Sequence, residues 1–243
     1  MIQQSKSIIQ RANLLLFILP ILGCGLTSQS AAPTIPAAIT ATPLGEGPAL
    51  PDLYPLSSGA VWTYHATTDI DDGSGPQHWE GSITETAVET TLVGDQEVYH
   101  VQLAGHPTRT TPDQTDAYYV PFRDRLYSVP TADDAARLIA TDGGGYETAQ
   151  ILAWPLVVDQ AWGDPQMMNR EDRQYVWRVE AIESLDTPAG HFDGCYHLAF
   201  RTNPDDTQRW FCPGTGFVRY EYHHHGSLNN EVWELASFSA PAP

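Results

Sequence analysis

Val61-Trp62-Thr63-Tyr64-His65-Ala66-Thr67 alternates without a break, with Trp62, Tyr64 and Ala66 on one side and Val61, Thr63, His65 and Thr67 on the other. A period of two, rich in β-branched and aromatic residues, predicts a strand with one buried face. The pattern recurs down the chain. Segment 82–93 is rich in Ile, Thr and Val, and Gly94-Asp95 turns it into 98–103, where Tyr99, Val101 and Leu103 share a face. Residues 117–120 and 126–129 read as short strands about Arg123-Asp124. Tyr175, Trp177 and Val179 align within 174–183, as do Tyr196, Leu198 and Phe200 within 195–202. The chain closes with 216–224 (Val218, Tyr220, Tyr222) and 231–238 (Trp233, Leu235). Turn residues separate these runs at Asp72-Gly73-Ser74-Gly75, Pro188-Ala189-Gly190, Asn203-Pro204-Asp205-Asp206 and His225-Gly226. One helix is predicted over 132–139, capped by Thr131 with Asp133 and Asp134 in its first turn. The expected fold is all-β: a single strongly curved antiparallel sheet, a half-barrel or open barrel, with at most one or two short helices.

A spacing repeats inside this domain. Pro55-Leu56 precedes Trp62 as Pro155-Leu156 precedes Trp162, Pro to Trp seven residues apart both times, after Leu53-Tyr54 and Ala153-Trp154. Pro-Leu sets an extended lead-in, the middle residues turn, and the Trp opens a strand by filling the core. Two such units suggest a duplicated or pseudo-symmetric sheet. The opening Tyr-Pro-Leu-x-x-Gly-x-x-Trp-x-Tyr (Tyr54 to Tyr64) and the second Pro-Leu…Trp unit are followed by Thr187-Pro188-Ala189-Gly190-x-Phe192. Trp210-Phe211-Cys212-Pro213-Gly214-x-Gly216-x-Val218 comes last. Together these resemble a family of uncharacterised bacterial envelope lipoproteins, similar in fold to the curved half-barrel of outer-membrane lipoprotein carriers. The resemblance spans about residues 53–238 and departs at Asp159, which stands where the first unit has Gly59. It implies a fold and a compartment, with no catalytic residues.

The N-terminus reads as an address. Lys6 and Arg11 precede the nine-residue apolar run Leu14–Leu22, too short to cross ~30 Å of hydrocarbon but suited to an export signal. The run ends in Ile21-Leu22-Gly23-Cys24, which resembles the bacterial lipobox. Residues 1–23 are therefore expected to be removed, leaving Cys24 as the lipidated N-terminus. Acyl chains bury about 0.8 kcal/mol per methylene and anchor without a spanning helix. Residues 27–51 hold 17 Ser, Thr, Ala or Pro in 25 positions with one charge, Glu46, so 24–52 reads as a flexible tether and 53–243 as the β domain. The location implied is extracytoplasmic, anchored to the cell membrane or the outer membrane.

The whole chain carries 12 Lys+Arg against 30 Asp+Glu, a formal net charge of −18. Without the export signal it has ten arginines, no lysine and a charge of about −20. Neutralising phosphates needs a basic face, so nucleic acid is excluded as a partner. The absence of lysine excludes Schiff-base and phosphate-loop lysine chemistry. Seven Trp and eleven Tyr exclude an acidic disordered chain.

Three clusters are candidates for chemistry. Cys195 and Cys212 flank the 203–206 turn. A four-residue turn sets them diagonal by one step on one face; a two-residue turn sets them directly opposite. Either is close to disulfide range, and an exported protein permits the bond. His223-His224-His225 ends a strand, with His223 and His225 on one face and His224 opposite, among Tyr220 and Tyr222. With His191 or His197 as a third ligand, His223 and His225 could hold zinc or copper, and a metal-dependent hydrolase is the alternative function. Asp69 to Gly75 with Glu80 resembles a calcium loop but has Gly at position five and Ser at six, against the required order, and reads as a solvated hairpin. The leading expectation is a non-enzymatic, lipid-anchored binding or envelope-organising domain without a cofactor. Its partners would be the membrane through its lipid, and an apolar small molecule or an envelope protein; the sequence names no ligand-binding residue.

Overall fold

A computed structural model describes residues 53–105 and 116–241; the export signal, Cys24 and the tether lie outside the described residues. The predicted alternation becomes twelve strands. They are β1 (Val61–Asp71), β2 (Pro76–Val93), β3 (Gln96–Ala104), β4 (Asp116–Phe122), β5 (Arg125–Val129), β6 (Gln150–Ala153), β7 (Ala161–Gly163), β8 (Val176–Thr187), β9 (Gly190–Arg201), β10 (Asp205–Cys212), β11 (Gly216–His224) and β12 (Asn229–Ser239). All neighbours pair antiparallel in the order β6-β5-β4-β3-β2-β1-β12-β11-β10-β9-β8-β7. The two end strands, β6 and β7, come together without a shared ladder. The sheet is a nearly closed barrel, and its first and last strands pair at the middle of the strand order.

That order is what two consecutive six-strand meanders give when the first strand of one pairs with the last of the other. The two Pro-Leu…Trp units head those meanders with the same hydrogen bonds. Gly59 N–H donates to Ala87 O at 2.7 Å and Ala87 N–H to Ala60 O at 2.9 Å. In the second unit Asp159 N–H donates to Val179 O at 2.9 Å and Val179 N–H to Gln160 O at 3.0 Å. A bulge follows each time, between Ala87 and Glu89 in β2 and between Val179 and Ala181 in β8. Gly59 has φ +90° and Asp159 φ +68°. The apparent departure at Asp159 is thus a side chain from the small set that tolerates the left-handed region. Trp62 and Trp162 are both fully buried.

One continuous apolar cluster fills much of the barrel and takes inward side chains from both halves, Trp62, Tyr119, Leu152, Trp162, Leu198 and Leu235 among them. A second cluster lies on the outer face of β3, β4 and β5, where helix α1 (Ala132–Ala140) buries Ala135 and Leu138 against Val98, Val120 and Tyr127. Thr131 caps that helix by accepting from Asp134 N–H at 3.0 Å. A 3₁₀ turn at Glu147–Ala149 leads into β6. Among the described residues no helix is long and apolar enough to cross a membrane.

Two predictions need correcting. Tyr175 does not align with Trp177: β8 starts at Val176, and Tyr175 sits before it at φ +65°, 36% exposed, with its N–H on Arg201 O. Asp205 and Asp206 belong to β10 rather than to a turn, since Thr202 N–H already bonds Asp205 O at 2.7 Å. The tighter turn sets Trp210 opposite His197 and Phe211 opposite Tyr196. Cys212 then falls opposite Cys195, and the two are joined with Cα atoms 4.3 Å apart.

Candidate functional site

The inward positions form two regions, a plug and a recess. Near the β10–β11 turn, Tyr54 meets Trp62, Phe211 and Phe217 edge-on, with centroids 5.4, 5.9 and 5.7 Å away. Trp62 Nε1–H donates to Thr215 O at 2.7 Å and its ring stacks on Phe238 at 5.2 Å. Burial of these rings is complete enough that Gly216 admits no side chain: a Cβ there would lie 2.3 Å from Tyr54 Cε2.

The recess begins one residue pair further along the same strands. Register sets Arg209 opposite Tyr220 and Leu198, and Glu85 opposite Trp62 and Leu103, so both ionisable side chains face inward. The Arg209 guanidinium lies 5.2 Å from the Trp177 centroid, 5.4 Å from Phe217 and 5.6 Å from Tyr220. Its Nε is buried without a hydrogen-bond partner. Glu85, Arg209 and Tyr220 face inward and keep part of their surface accessible, which marks a recess between the inward-facing side chains. A barrel of about eight strands is just wide enough for side chains to fill, and this one has twelve.

Burial pushes the Glu85 carboxyl above the ordinary glutamate value; the Arg209 charge opposes that rise without cancelling it. Tyr64 Oη donates towards Phe217 O at 3.0 Å and Glu85 Oε2 at 3.3 Å, sharing its one hydrogen between the two acceptors, and this contact opposes the rise of Glu85 as the Arg209 charge does. Burial also raises Tyr54, Tyr64, Tyr119 and Tyr220, so each stays a neutral phenol. Further on, where β10 begins and β11 ends, Tyr222 Oη donates to Asp205 Oδ1 at 2.6 Å and His224 Nδ1 lies 2.7 Å from the same oxygen. The Tyr222 hydroxyl, then His224, hold the Asp205 carboxyl below its ordinary value; burial, then Asp205, push Tyr222 up to about 12.

The sequence candidates fall elsewhere. His223 lies beside Asn230 and Glu221, at 3.2 and 3.4 Å, and His225 is in the turn after β11. His197 stacks on Trp210 at 4.4 Å, while His191 sits between Asp186 and Asp193 in the β8–β9 hairpin. Among the described residues no three His, Cys, Asp or Glu side chains converge as a metal set. In the Asp69–Gly75 loop, Asp71 accepts from the N–H groups of Gly73 and Gly75, and Asp72 from Ser74, so their carboxylates are taken up by the turn itself. Cys195 and Cys212 are buried.

Glu85 and Arg209 were not among the predicted site residues. Glu85 had a signal: between Ile83 and Ala87 it takes an inward place in the β2 alternation. Arg209 stands two residues before Phe211 in the same way, but only once 205–212 is read as a strand.

No family model matches the chain, and no curated relative does. The likeness to envelope lipoproteins is therefore one of motifs alone. Among solved structures, the chain is similar to a protein inferred to be exported, with a YmcC-like fold, from Bacteroides fragilis, at 13% identity and TM-score 0.41 over 77% of this chain and 98% of that one. It is similar to an inferred lipoprotein from Parabacteroides distasonis at 14% identity and TM-score 0.37, over 76% of this chain and 97% of that one. A DUF1329 family protein from Desulfovibrio piger follows at 10% identity and TM-score 0.25, over 77% and 88%. The site rests on its own residues.

Proposed function

We propose that this chain is a lipid-anchored extracytoplasmic binding protein that holds a small, largely apolar molecule inside its barrel and performs no chemical step on it. The observation that carries the reading is the recess itself: Glu85, Arg209 and Tyr220 face inward and retain accessible surface, with the rings of Trp177, Phe217 and Tyr220 around the guanidinium. Few polar groups converging in an apolar enclosure is the usual form of a small-molecule site. The export signal and the lipobox at Cys24 supply the address. The Cys195–Cys212 bond suits an oxidising compartment, and the net charge near the membrane favours standing clear of anionic headgroups.

Native mass spectrometry of protein released by mild detergent tests the ligand. A bound species of defined mass is expected, and a protein that stays empty after extraction and after exposure to envelope lipid extract would sink the reading. Cys24→Ser tests the anchor: release from the membrane fraction is expected, and unchanged retention refutes lipidation at that residue.

A further inference from the structure

We infer that the recess takes an amphipathic monoanion, an apolar body with a carboxylate head seated on the Arg209 guanidinium. This rests on the interior-ligand reading above and names the chemistry of that ligand. The other described arginines have found acceptors. Arg123, Arg125, Arg137, Arg170, Arg173, Arg201 and Arg219 each meet a carboxylate, and Arg178 donates to Asp159 O at 2.9 Å. Arg209 differs. Among the described residues it meets neither a carboxylate nor a carbonyl, only three rings; its Nε, like that of Arg178, is buried and unpartnered, but Arg178 has a carbonyl for its Nη1. Arg209 lacks one in a chain with 30 acidic residues, where an ion pair was the easiest arrangement to form.

Ring faces replace part of the lost hydration of a guanidinium but leave its directional N–H groups unused. Buried donors without acceptors are costly, and the cost is recovered when an acceptor arrives. Glu85 faces the same interior but no ion pair joins it to Arg209 among the described residues. A single guanidinium matches a single negative charge, which suits a monoanion better than a phosphate dianion. The planar fork of the guanidinium suits a carboxylate, and Trp177, Phe217 and Tyr220 around it receive the apolar body.

Fluorescence titration with dansyl-undecanoic acid and with its methyl ester separates charge from hydrophobicity, because the two share one body. The full chain carrying Cys24→Ser keeps a bilayer from competing for the probe. The acid is expected to bind roughly ten- to a hundredfold tighter than the ester. Arg209→Gln should remove most of that preference while changing ester affinity by less than about threefold. Equal affinity of acid and ester overturns the assignment of the head and leaves the interior-ligand reading standing. Failure of both probes to bind overturns the two together. A preference undiminished in folded Arg209→Gln overturns the role of Arg209. Should that variant not fold, Arg209→Lys, which keeps the charge and loses the fork, takes its place: a weakened preference supports the inference and an unchanged one overturns it.

Discussion

Around Tyr54, the rings of Trp62, Phe211 and Phe217 meet edge to face and leave no room for a methyl group on Gly216. Around Arg209, the rings of Trp177, Phe217 and Tyr220 stand five to six ångströms off and share their space with accessible surface. Phe217 belongs to both regions, so the difference does not come from residue type. It comes from charge. In the plug the indole N–H of Trp62 ends on the backbone at Thr215 O, and the Tyr54 hydroxyl, buried without a hydrogen-bond partner, is a neutral phenol. In the recess the Arg209 guanidinium makes no ion pair with Glu85, whose carboxyl accepts from Tyr64, and rings that closed over the guanidinium would leave a charge without an acceptor. The plug therefore holds the barrel together, and the recess keeps it receptive.

The comparison breaks most visibly at Trp62. Trp62→Ala is expected to cost about 3–5 kcal/mol, since it removes a fully buried indole from rings that cannot collapse into the space. Urea denaturation reads this as a large fall in the midpoint; a loss near 1 kcal/mol or less would mean the plug is loosely packed. Gly216→Ala comes next, at roughly 2–4 kcal/mol, from overpacking against Tyr54 and from placing a Cβ at positive φ. Its backbone has φ +102°, so a smaller ring at 54 relieves only part of the loss. Tyr54→Leu combined with Gly216→Ala should therefore be less than additive. Removing the disulfide with Cys195→Ala and Cys212→Ala is expected to cost roughly 1–3 kcal/mol, towards the low end because the two strands already form a hairpin. Equal stability of wild type with and without reductant would show that the bond contributes nothing to that wall.

The plug was legible in the sequence and the recess was not, for a physical reason. Burial leaves a local trace when it follows the strand period, as at Trp62, Tyr64 and Ala66, or when a spacing repeats, as at Pro55…Trp62 and Pro155…Trp162. The cysteine pair was readable to within one step because hairpin register depends on turn length alone, and Asn203-Pro204 took the shorter option. A recess has no such trace. Glu85 and Arg209 are 124 positions apart and come together only because the sheet curls until β2 and β10 face across the interior. The histidine run stood out as a string of potential ligands, yet alternation sent His224 to Asp205 and left His223 with Asn230. Clustering in sequence and convergence in space are different properties on a strand.

The finest distinction between the two regions is the pH dependence carried by Glu85. Its carboxyl is raised above the ordinary value of 4.5 by burial, so the folded protein holds that proton more tightly than the unfolded chain. Stability from this group is therefore fully present below the unfolded value and is lost as pH rises from there through the raised folded value. Glu85→Gln keeps the shape and the neutral state and cannot ionise. At about pH 4 the variant should match wild type to within roughly 1 kcal/mol. As pH rises, wild type should lose stability relative to Glu85→Gln, and the variant should become the equal or the more stable of the two. Asp205, whose carboxyl is lowered, contributes in the opposite direction, but it is common to both proteins and cancels in the difference. Paired urea titrations across that range provide the measurement. A difference that stays constant with pH would show that water reaches Glu85 as freely as it reaches an exposed carboxylate, and the recess would then be an open channel, not an enclosure.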